Sequence, residues 1–335
     1  MSKKVTKHGL RICSGYLQHY EFSFSCLPLT MQLSDPIVSP GEPSSHTHVV
    51  TGGTGFQRTM DMRTARNASG TACEVAIDKS NYWIPALYHA ARNGSFEMVE
   101  YEWSASYYLN RACDYVESAQ ACSDGSYPLA PPAGTYNNSD FAQRAISHMC
   151  LGRDGTSNET KHLPRQPCEK LRPQVFFPSC WDGKNHDNVD HKSHMEYPVN
   201  GDYNKGICPK THPVAIFSIF VEFIFNTKTF PDYENWIYST GDRIGYGLHG
   251  DFINGWTDQD ALQTDFKMCT RKEWLSDPRC SITKTQKKLL VPLSLEPQAP
   301  IPLDELGQNG GYTSAARPSG ACQLAPKSHR SISYK

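Results

Sequence analysis

The chain has 335 residues, of which 38% are hydrophobic, and its formal net charge is -1 at pH 7. This length and apolar content are sufficient for one large domain with a buried core. A charge so close to zero argues against a polyanionic partner, and no window reaches the roughly 20 apolar residues of a membrane helix. We therefore predict neither a nucleic-acid partner nor a membrane partner.

The N-terminal segment is basic at first, with Lys3, Lys4 and Lys7. It lacks the apolar run of about 7–15 residues that a signal peptide requires. We predict three regions: an ill-defined leader over residues 1–30, one domain over residues 31–280, and a disordered tail rich in Pro, Gly and Ser over residues 281–335.

Short apolar and aromatic runs alternate with Gly, Pro, Asn and Ser along the predicted domain. These runs predict strands at residues 82–88, 96–99, 175–177, 214–225 and 252–256. Residues 214–225 form the longest run, which fits a strand buried on both faces, with a buried helix as the competing interpretation.

One short amphipathic helix is predicted, at residues 257–268. The chain contains 23 prolines and 24 glycines, which favour many turns and few long helices. The predicted fold class is all-β or β-rich: a single β-sandwich, jelly-roll-like, with long loops and few short helices.

Twelve cysteines are scattered singly, without a CxxC pair. Their even number favours disulfide bonds and an oxidising compartment, although a cytosolic protein with buried thiols is the alternative. Four glycosylation sequons, at Asn67, Asn93, Asn137 and Asn158, agree with a secreted glycoprotein. Secretion is the prediction, with the signal upstream of a mispredicted start or with export by another route.

Several blocks of sequence carry a family resemblance. They are DPIVSPG (35–41), SHTH (45–48), DKSNYW (78–83), FPSCWDGKN (177–185), DHKSH (190–194), CPKTHP (208–213) and GDRIGYGLHGDF (241–252). Over residues 33–270 the chain resembles DUF1996, a fungal secreted domain found alone or beside WSC carbohydrate-binding modules. The resemblance implies an extracellular protein whose partner is cell-wall polysaccharide. It implies no catalytic roles, because the function of the family is unknown.

Six of the thirteen histidines fall in four compact polar clusters. They are His46, His48, His191, His194, His212 and His249. Neutral imidazole is the commonest protein ligand for metals. Residues two apart on a strand share a face, and residues three apart share one side of a helical turn. We therefore predict one divalent metal ion of unknown identity, with His46, His48, His194 and His212 as its ligands. The alternative is that these histidines only bond neighbouring loops.

Acid–base chemistry is predicted for a second set of residues: His191, His249, Tyr246, Asp251 and Asp242. A carboxylate beside a histidine can fix its tautomer or act as its proton-transfer partner, and Asp190 is a further candidate for this orienting role. The glycines around Tyr246 and His249 allow the backbone to turn these side chains into a pocket. A solvated loop or a glycine-shaped hairpin is the alternative interpretation.

Substrate binding is predicted for Trp181, Lys79, Arg243 and Trp256. A tryptophan offers a flat apolar face to a sugar ring, and a cation can neutralise an acidic sugar or a developing anion. For Trp181 the alternative is a core anchor, and for Lys79 it is a solvated side chain at a strand end.

Together these features predict an extracellular enzyme that cleaves cell-wall polysaccharide by hydrolysis or β-elimination. The metal ion would polarise the substrate or activate water. In a metal-free version, one histidine would be the base and Tyr246 the proton donor. Two rival hypotheses are a non-catalytic glycan-binding wall protein, with Trp83, Trp181 and Trp256 as surface platforms, and a secreted interaction protein.

Overall fold

The computed structural model describes residues 20–115, 140–265, 282 and 332–334. The described chain is β-rich, with several antiparallel sheets and few short helices, which confirms the predicted fold class and is consistent with a β-sandwich. Residues 1–19 of the predicted leader, most of the tail, and residues 266–268 of the predicted helix lie outside the described residues. In the portion described, no helix is both long and apolar enough to span a bilayer.

The twenty strands of the described residues are numbered in chain order. They are β1 (Tyr20–Cys26), β2 (Pro28–Ser34), β3 (Pro43–Gly52), β4 (Asn81–Pro85), β5 (Leu87–Ala90), β6 (Phe96–Met98), β7 (Tyr101–Asn110), β8 (Ala112–Cys113), β9 (Ile146–Leu151), β10 (Ser157–Thr160), β11 (Lys170–Phe176), β12 (Cys180–Trp181), β13 (Met195–Glu196), β14 (Asn200–Asp202), β15 (Lys205–Ile207), β16 (Val214–Ala215), β17 (Ser218–Phe225), β18 (Trp236–Tyr238), β19 (Gly250–Ile253) and β20 (Ile332–Tyr334).

Three short α-helices accompany the strands in the part of the chain that the structure describes. They are α1 (Met62–Arg66), α2 (Phe141–Arg144) and α3 (Gln259–Asp265), and a 3₁₀ turn covers Tyr233–Asn235. Helix α3 lies within the segment predicted to be helical. Asp61 and Asp140 cap the first two helices by accepting hydrogen bonds from backbone N–H groups of the first turn.

The larger sheet has six strands in the order β1-β7-β17-β11-β9-β10, with antiparallel neighbours. Every position of β17 is buried. This explains its near-continuous apolar sequence and excludes the competing helix. The predicted run of residues 214–225 is divided in two, because Ile216 and Phe217 separate β16 from β17.

The second sheet has five strands in the order β2-β3-β4-β19-β20. All of its pairs are antiparallel except β19 with β20. Strands β1 and β2 therefore place residues 20–34 in the two sheets, on both sides of the predicted boundary at residue 30. The predicted division into leader, domain and tail stays a prediction.

The main core lies between the two sheets, where aromatic side chains from both meet. Tyr82 of β4 and Tyr108 of β7 share a hydrogen bond of 2.8 Å between their hydroxyls. The indole N–H of Trp256 donates to the Tyr108 hydroxyl at 2.7 Å, and Tyr82 donates to Asp78 at 2.7 Å. All four side chains are buried, and burial raises the pKa of Asp78 to about 6. This polar chain connects the sheets through their centre.

A second apolar cluster covers the opposite face of the five-stranded sheet. Val50, Trp83 and Ile253 project from β3, β4 and β19 into this cluster, where Phe56 and Met60 pack against them. The five-stranded sheet is consequently buried on both faces. Any polar side chain on its outer face is therefore held in a largely dehydrated environment.

Within the described residues, three disulfide bonds join Cys26 to Cys73, Cys150 to Cys168 and Cys180 to Cys208. They confirm the predicted disulfide bonding. Disulfide bonds persist in oxidising compartments, so they fit an extracellular protein, while secretion itself stays a prediction.

We expect Tyr108→Phe to lower the free energy of unfolding by about 1–3 kcal/mol, because the buried Trp256 N–H and Tyr82 hydroxyl lose their shared partner. Denaturant unfolding measures this loss. The control is Tyr233→Phe, since the partly buried Tyr233 hydroxyl makes no hydrogen bond within the described chain. An equal effect of both substitutions would contradict the structural role of the polar chain.

Candidate metal centre

Strand β3 places two histidines on one side of the five-stranded sheet. Side chains alternate along a strand, so His46 and His48 share the outer face with Val50, while Val49 points into the main core. His48 pairs with Pro85 of β4.

His249 reaches the same position from the other side of β4. It directly precedes β19, and its approach is shaped by a turn in which the Asp242 carboxylate accepts hydrogen bonds from the N–H groups of Ile244, Gly245 and Gly247. Gly245 has a φ of +97°, and a Cβ there would lie 2.6 Å from the Leu163 nitrogen. Only glycine fits this position without displacement of the backbone.

The three imidazoles of His46, His48 and His249 form one compact cluster. Their ring centres are 4.2 Å (His46 to His48), 5.0 Å (His46 to His249) and 5.7 Å (His48 to His249) apart. One nitrogen of each ring lies within 4.8 Å of the others. We call these three residues the histidine cluster.

Hydrogen bonds to backbone carbonyls set the tautomers of two rings. His48 Nδ1 lies 3.1 Å from the Ser34 carbonyl oxygen, and His249 Nδ1 lies 2.8 Å from that of Gly247. A carbonyl only accepts, so each Nδ1 carries the proton and each Nε2 carries a lone pair. The Nε2 of His48 has no hydrogen-bond partner among the described residues, although it is buried.

His46 completes the network. Its Nε2 lies 3.2 Å from His249 Nε2, and its Nδ1 lies 3.0 Å from the Ser45 hydroxyl. In the metal-free protein His46 can donate through Nε2 to the lone pair of His249 and accept from Ser45. A tetrahedral zinc ion with bonds of about 2.0–2.1 Å holds its nitrogens about 3.3 Å apart. The separation of the two Nε2 atoms fits such an ion.

Two buried carboxylates adjoin the histidine cluster. Asp35 and Asp251 form a second group with His48, in which the candidate ligand atoms also lie within 4.8 Å of one another. Asp251 Oδ2 is 3.9 Å from His249 Nε2. Asp35 is oriented by its Oδ1, which accepts from the N–H groups of Ile37 and Val38. Two carboxylates balance the charge of one divalent cation.

Burial keeps the histidine cluster neutral. Desolvation lowers the pKa of His48 to about 4 and that of His249 below its ordinary value, and the Asp35 charge opposes both shifts. The pKa of His46 lies well below its usual range because of burial and the two neighbouring rings. Neutral imidazole is the form that binds a metal. The donor set, the charge balance and the orphaned Nε2 of His48 all fit a divalent transition metal.

Two of the predicted metal ligands lie elsewhere. His194 and His212 belong to neither of the ligand groups that the described residues form. His212 Nε2 lies 3.0 Å from the Ser193 carbonyl oxygen, and His194 is buried. The four-histidine ligand set is therefore not assembled: His46 and His48 are joined by His249 instead.

His191 and Asp190 lie in the loop between β12 and β13. The ring of His191 contacts the Asp187 carboxylate at 2.9 Å, and its backbone has a φ of 54°. Asp190 accepts from the N–H groups of Lys192 and Ser193, so its carboxylate shapes the loop instead of orienting an imidazole. His191 stays a predicted catalytic residue outside the histidine cluster.

The remaining residues of the predicted acid–base set surround the turn before β19. Asp251 lies beside the cluster, whereas Asp242 organises the turn through the three N–H groups that it accepts from. Tyr246 is partly exposed and Arg243 is exposed. Their predicted roles as proton donor and substrate cation are untested.

The structure corrects part of the predicted substrate-binding set. Trp256 of this set is buried in the main core, and Trp83, a surface platform in the rival glycan-binding hypothesis, is buried in the second apolar cluster, so neither can stack on a sugar ring. The Lys79 ammonium donates to the Ala68 carbonyl oxygen, which ties it to the loop after α1. Trp181 is partly exposed, and its ring stacks on His186 with a centroid distance of 5.9 Å.

Sequence reasoning missed Asp35 as a site residue. It follows β2 directly and opens the DPIVSPG block, but a single acidic residue before proline is most simply a turn residue. The proximity of Asp35 to His48 depends on the β2–β3 pairing, which places Gln32 opposite His48 with an irregular register beyond it. No local sequence pattern predicts this irregular register.

Protonation of the histidine cluster should destabilise the metal-free protein. The folded pKa of His48, about 4, lies below the unfolded value of about 6.5, so the unfolded chain binds more protons between these values. Stability therefore rises with pH across this window, and His48 alone contributes about 3 kcal/mol that is lost as the pH falls to about 4. Denaturant unfolding in chelator measures the slope. His48→Gln should flatten this dependence of stability on pH. The control His186→Gln should leave the dependence unchanged, because His186 is exposed. A stability that does not change with pH would contradict the buried neutral state of His48.

Comparison with known protein families identifies the family of this chain. A model for a domain of unknown function, DUF1996, matches residues 35–256, which is more than half of the chain and includes every residue of both ligand groups. Searches of curated proteins and of solved structures find no match. The chain belongs to the DUF1996 family.

Proposed function

We propose that this protein is a secreted, metal-dependent enzyme that cleaves cell-wall polysaccharide, with its metal ion held by His46, His48 and His249. The observation that supports the proposal is the convergence of three neutral imidazoles beside two buried carboxylates. Three histidine ligands leave a coordination position for water or substrate, as catalytic metal sites require.

The surroundings of the cluster suggest where chemistry would take place. His48 and His249 are 0% and 6% exposed, whereas His46 is partly exposed, so the site is accessible from the His46 side. A bound divalent ion would supply Lewis acidity and a lowered pKa for water. Asp251 adjoins His249 Nε2 and would accept a proton from water or substrate there. The proposal includes hydrolysis, in which water is added across the glycosidic bond, and β-elimination, which leaves an unsaturated end.

A second candidate function is a non-catalytic glycan-binding wall protein. The almost complete burial of His48 and His249 favours it, because buried ligands can serve mainly to fasten the ends of β2, β3 and β19 together. In that case the metal ion would stabilise the fold without touching a substrate.

Metal binding is tested first. We expect the purified protein to bind one equivalent of Zn²⁺, and His46→Ala to weaken its affinity at least about 100-fold, because loss of even an outer-shell partner costs 10–100-fold. Competition with a chromogenic chelator measures the affinity, and elemental analysis gives the stoichiometry. His212→Ala is the matched control, since His212 lies outside both ligand groups. An affinity that falls for His212→Ala but not for His46→Ala would contradict the proposed ligands.

Catalysis is tested on wall polysaccharides with the metal-loaded protein. We expect new reducing ends for hydrolysis, or unsaturated ends that absorb in the ultraviolet for elimination, and no products after chelation or in His46→Ala. Asp251→Asn should retain the fold and lose most of the rate. Retained glycan binding with no new ends from the metal-loaded protein would favour the non-catalytic candidate.

A further inference from the structure

The outer face of the six-stranded sheet carries a second concentration of polar and aromatic side chains. Alternation along β17 sends Val221 and Phe223 into the main core, so Phe220, Glu222 and Ile224 point to the other face. This face lies on the opposite side of the sandwich from the histidine cluster, which occupies the outer face of the five-stranded sheet.

A polar row crosses the middle of this face. The strand register aligns Ala105 of β7, Glu222 of β17, Gln174 of β11 and Ser147 of β9. Gln174 is 7% exposed, and its amide donates to the Ser147 hydroxyl at 2.7 Å. The Gln174 carbonyl oxygen has no hydrogen-bond partner among the described residues. A buried, oriented acceptor of this kind is costly unless a ligand or water satisfies it.

The charge in this row is internally balanced. Arg172 contacts one oxygen of Glu222 at 3.2 Å, and the Tyr107 hydroxyl donates to the other at 3.0 Å. The carboxylate is therefore neutralised by its own neighbours. The Nε of Arg172 is buried and has no hydrogen-bond partner in the described chain.

Aromatic rings border the polar row on both sides along the strands. On one side, Phe220 stacks on Phe176 at 4.0 Å and lies 5.2 Å from the Tyr107 ring. On the other side, Trp103 pairs with Ile224 and is 36% exposed. Trp103 and Tyr107 are four positions apart along β7, which corresponds to roughly 13 Å.

This combination matches the chemistry of a sugar chain. Planar amide and guanidinium groups bond hydroxyls, and the apolar faces of sugar rings pack on aromatic rings. Ligand sites generally combine apolar and aromatic walls with a few placed polar groups. Because Glu222 already balances the charge of Arg172, the face suits a neutral ligand better than an acidic one.

We propose that this face, lined by Trp103, Tyr107, Arg172, Gln174, Phe220 and Glu222, binds a neutral glycan chain. The proposal deepens the proposed function and takes its substrate class from it, and it assigns glycan binding to a surface remote from the metal ligands.

Binding is tested by calorimetry with neutral hexasaccharides of glucose, mannose and N-acetylglucosamine, and with an acidic galacturonate hexasaccharide. Chelator is present throughout, so that neither metal binding nor cleavage of the hexasaccharide affects the measured affinity. We expect binding of at least one neutral hexasaccharide, about tenfold weaker in Trp103→Ala and weaker in Gln174→Met, which keeps the side-chain volume.

Tyr233→Ala is the control, because the partly exposed Tyr233 lies in the 3₁₀ turn, packs against the main core outside the proposed face, and should not affect the affinity. Thermal melting verifies that each variant is folded. If Gln174→Met does not fold, the affinity of Trp103→Ala alone tests the proposal. The proposal is overturned if no neutral hexasaccharide binds, if the acidic one binds more tightly, or if Tyr233→Ala weakens binding while Trp103→Ala does not.

Discussion

Burial of the five-stranded sheet on both faces is the constraint on which the candidate site depends. Its inner face belongs to the main core, and its outer face carries the cluster around Trp83. Polar side chains at one end of that outer face therefore cannot be solvated individually. They are held together by backbone carbonyls, by one another, and by carboxylates. This arrangement keeps three imidazoles neutral, with one nitrogen of each ring within 4.8 Å of the others.

The histidine cluster was only half predictable from the sequence. The spacing of His46 and His48 predicts a shared strand face, and strand β3 provides it. His249 is about 200 residues further along the chain, and its approach depends on β19 pairing with β4, which in turn pairs with β3. Local periodicity contains no information about such a pairing, so His249 could not be separated from His194 and His212 as a ligand.

The fold class was predictable for a related reason. Local sequence features predict much of it: apolar runs and turn residues indicate strands, and an even number of cysteines indicates disulfide bonds. The structure contains both. The face of the sheet on which a side chain lies could not be predicted in the same way. Trp256 resembles a surface platform in sequence because Gly255 and polar residues surround it, yet it donates a hydrogen bond deep in the main core. The tyrosine that accepts this bond belongs to a strand almost 150 residues earlier.

The two outer faces of the sandwich differ in how their charge is balanced, and the difference indicates what each can bind. On the six-stranded sheet, Arg172 and Tyr107 contact the two oxygens of Glu222, so the charges of the polar row balance each other. On the five-stranded sheet, Asp35 and Asp251 adjoin neutral histidines. A divalent cation bound there would balance the charge of these two carboxylates. The polar groups of one face thus suit an uncharged chain, and those of the other suit a metal ion.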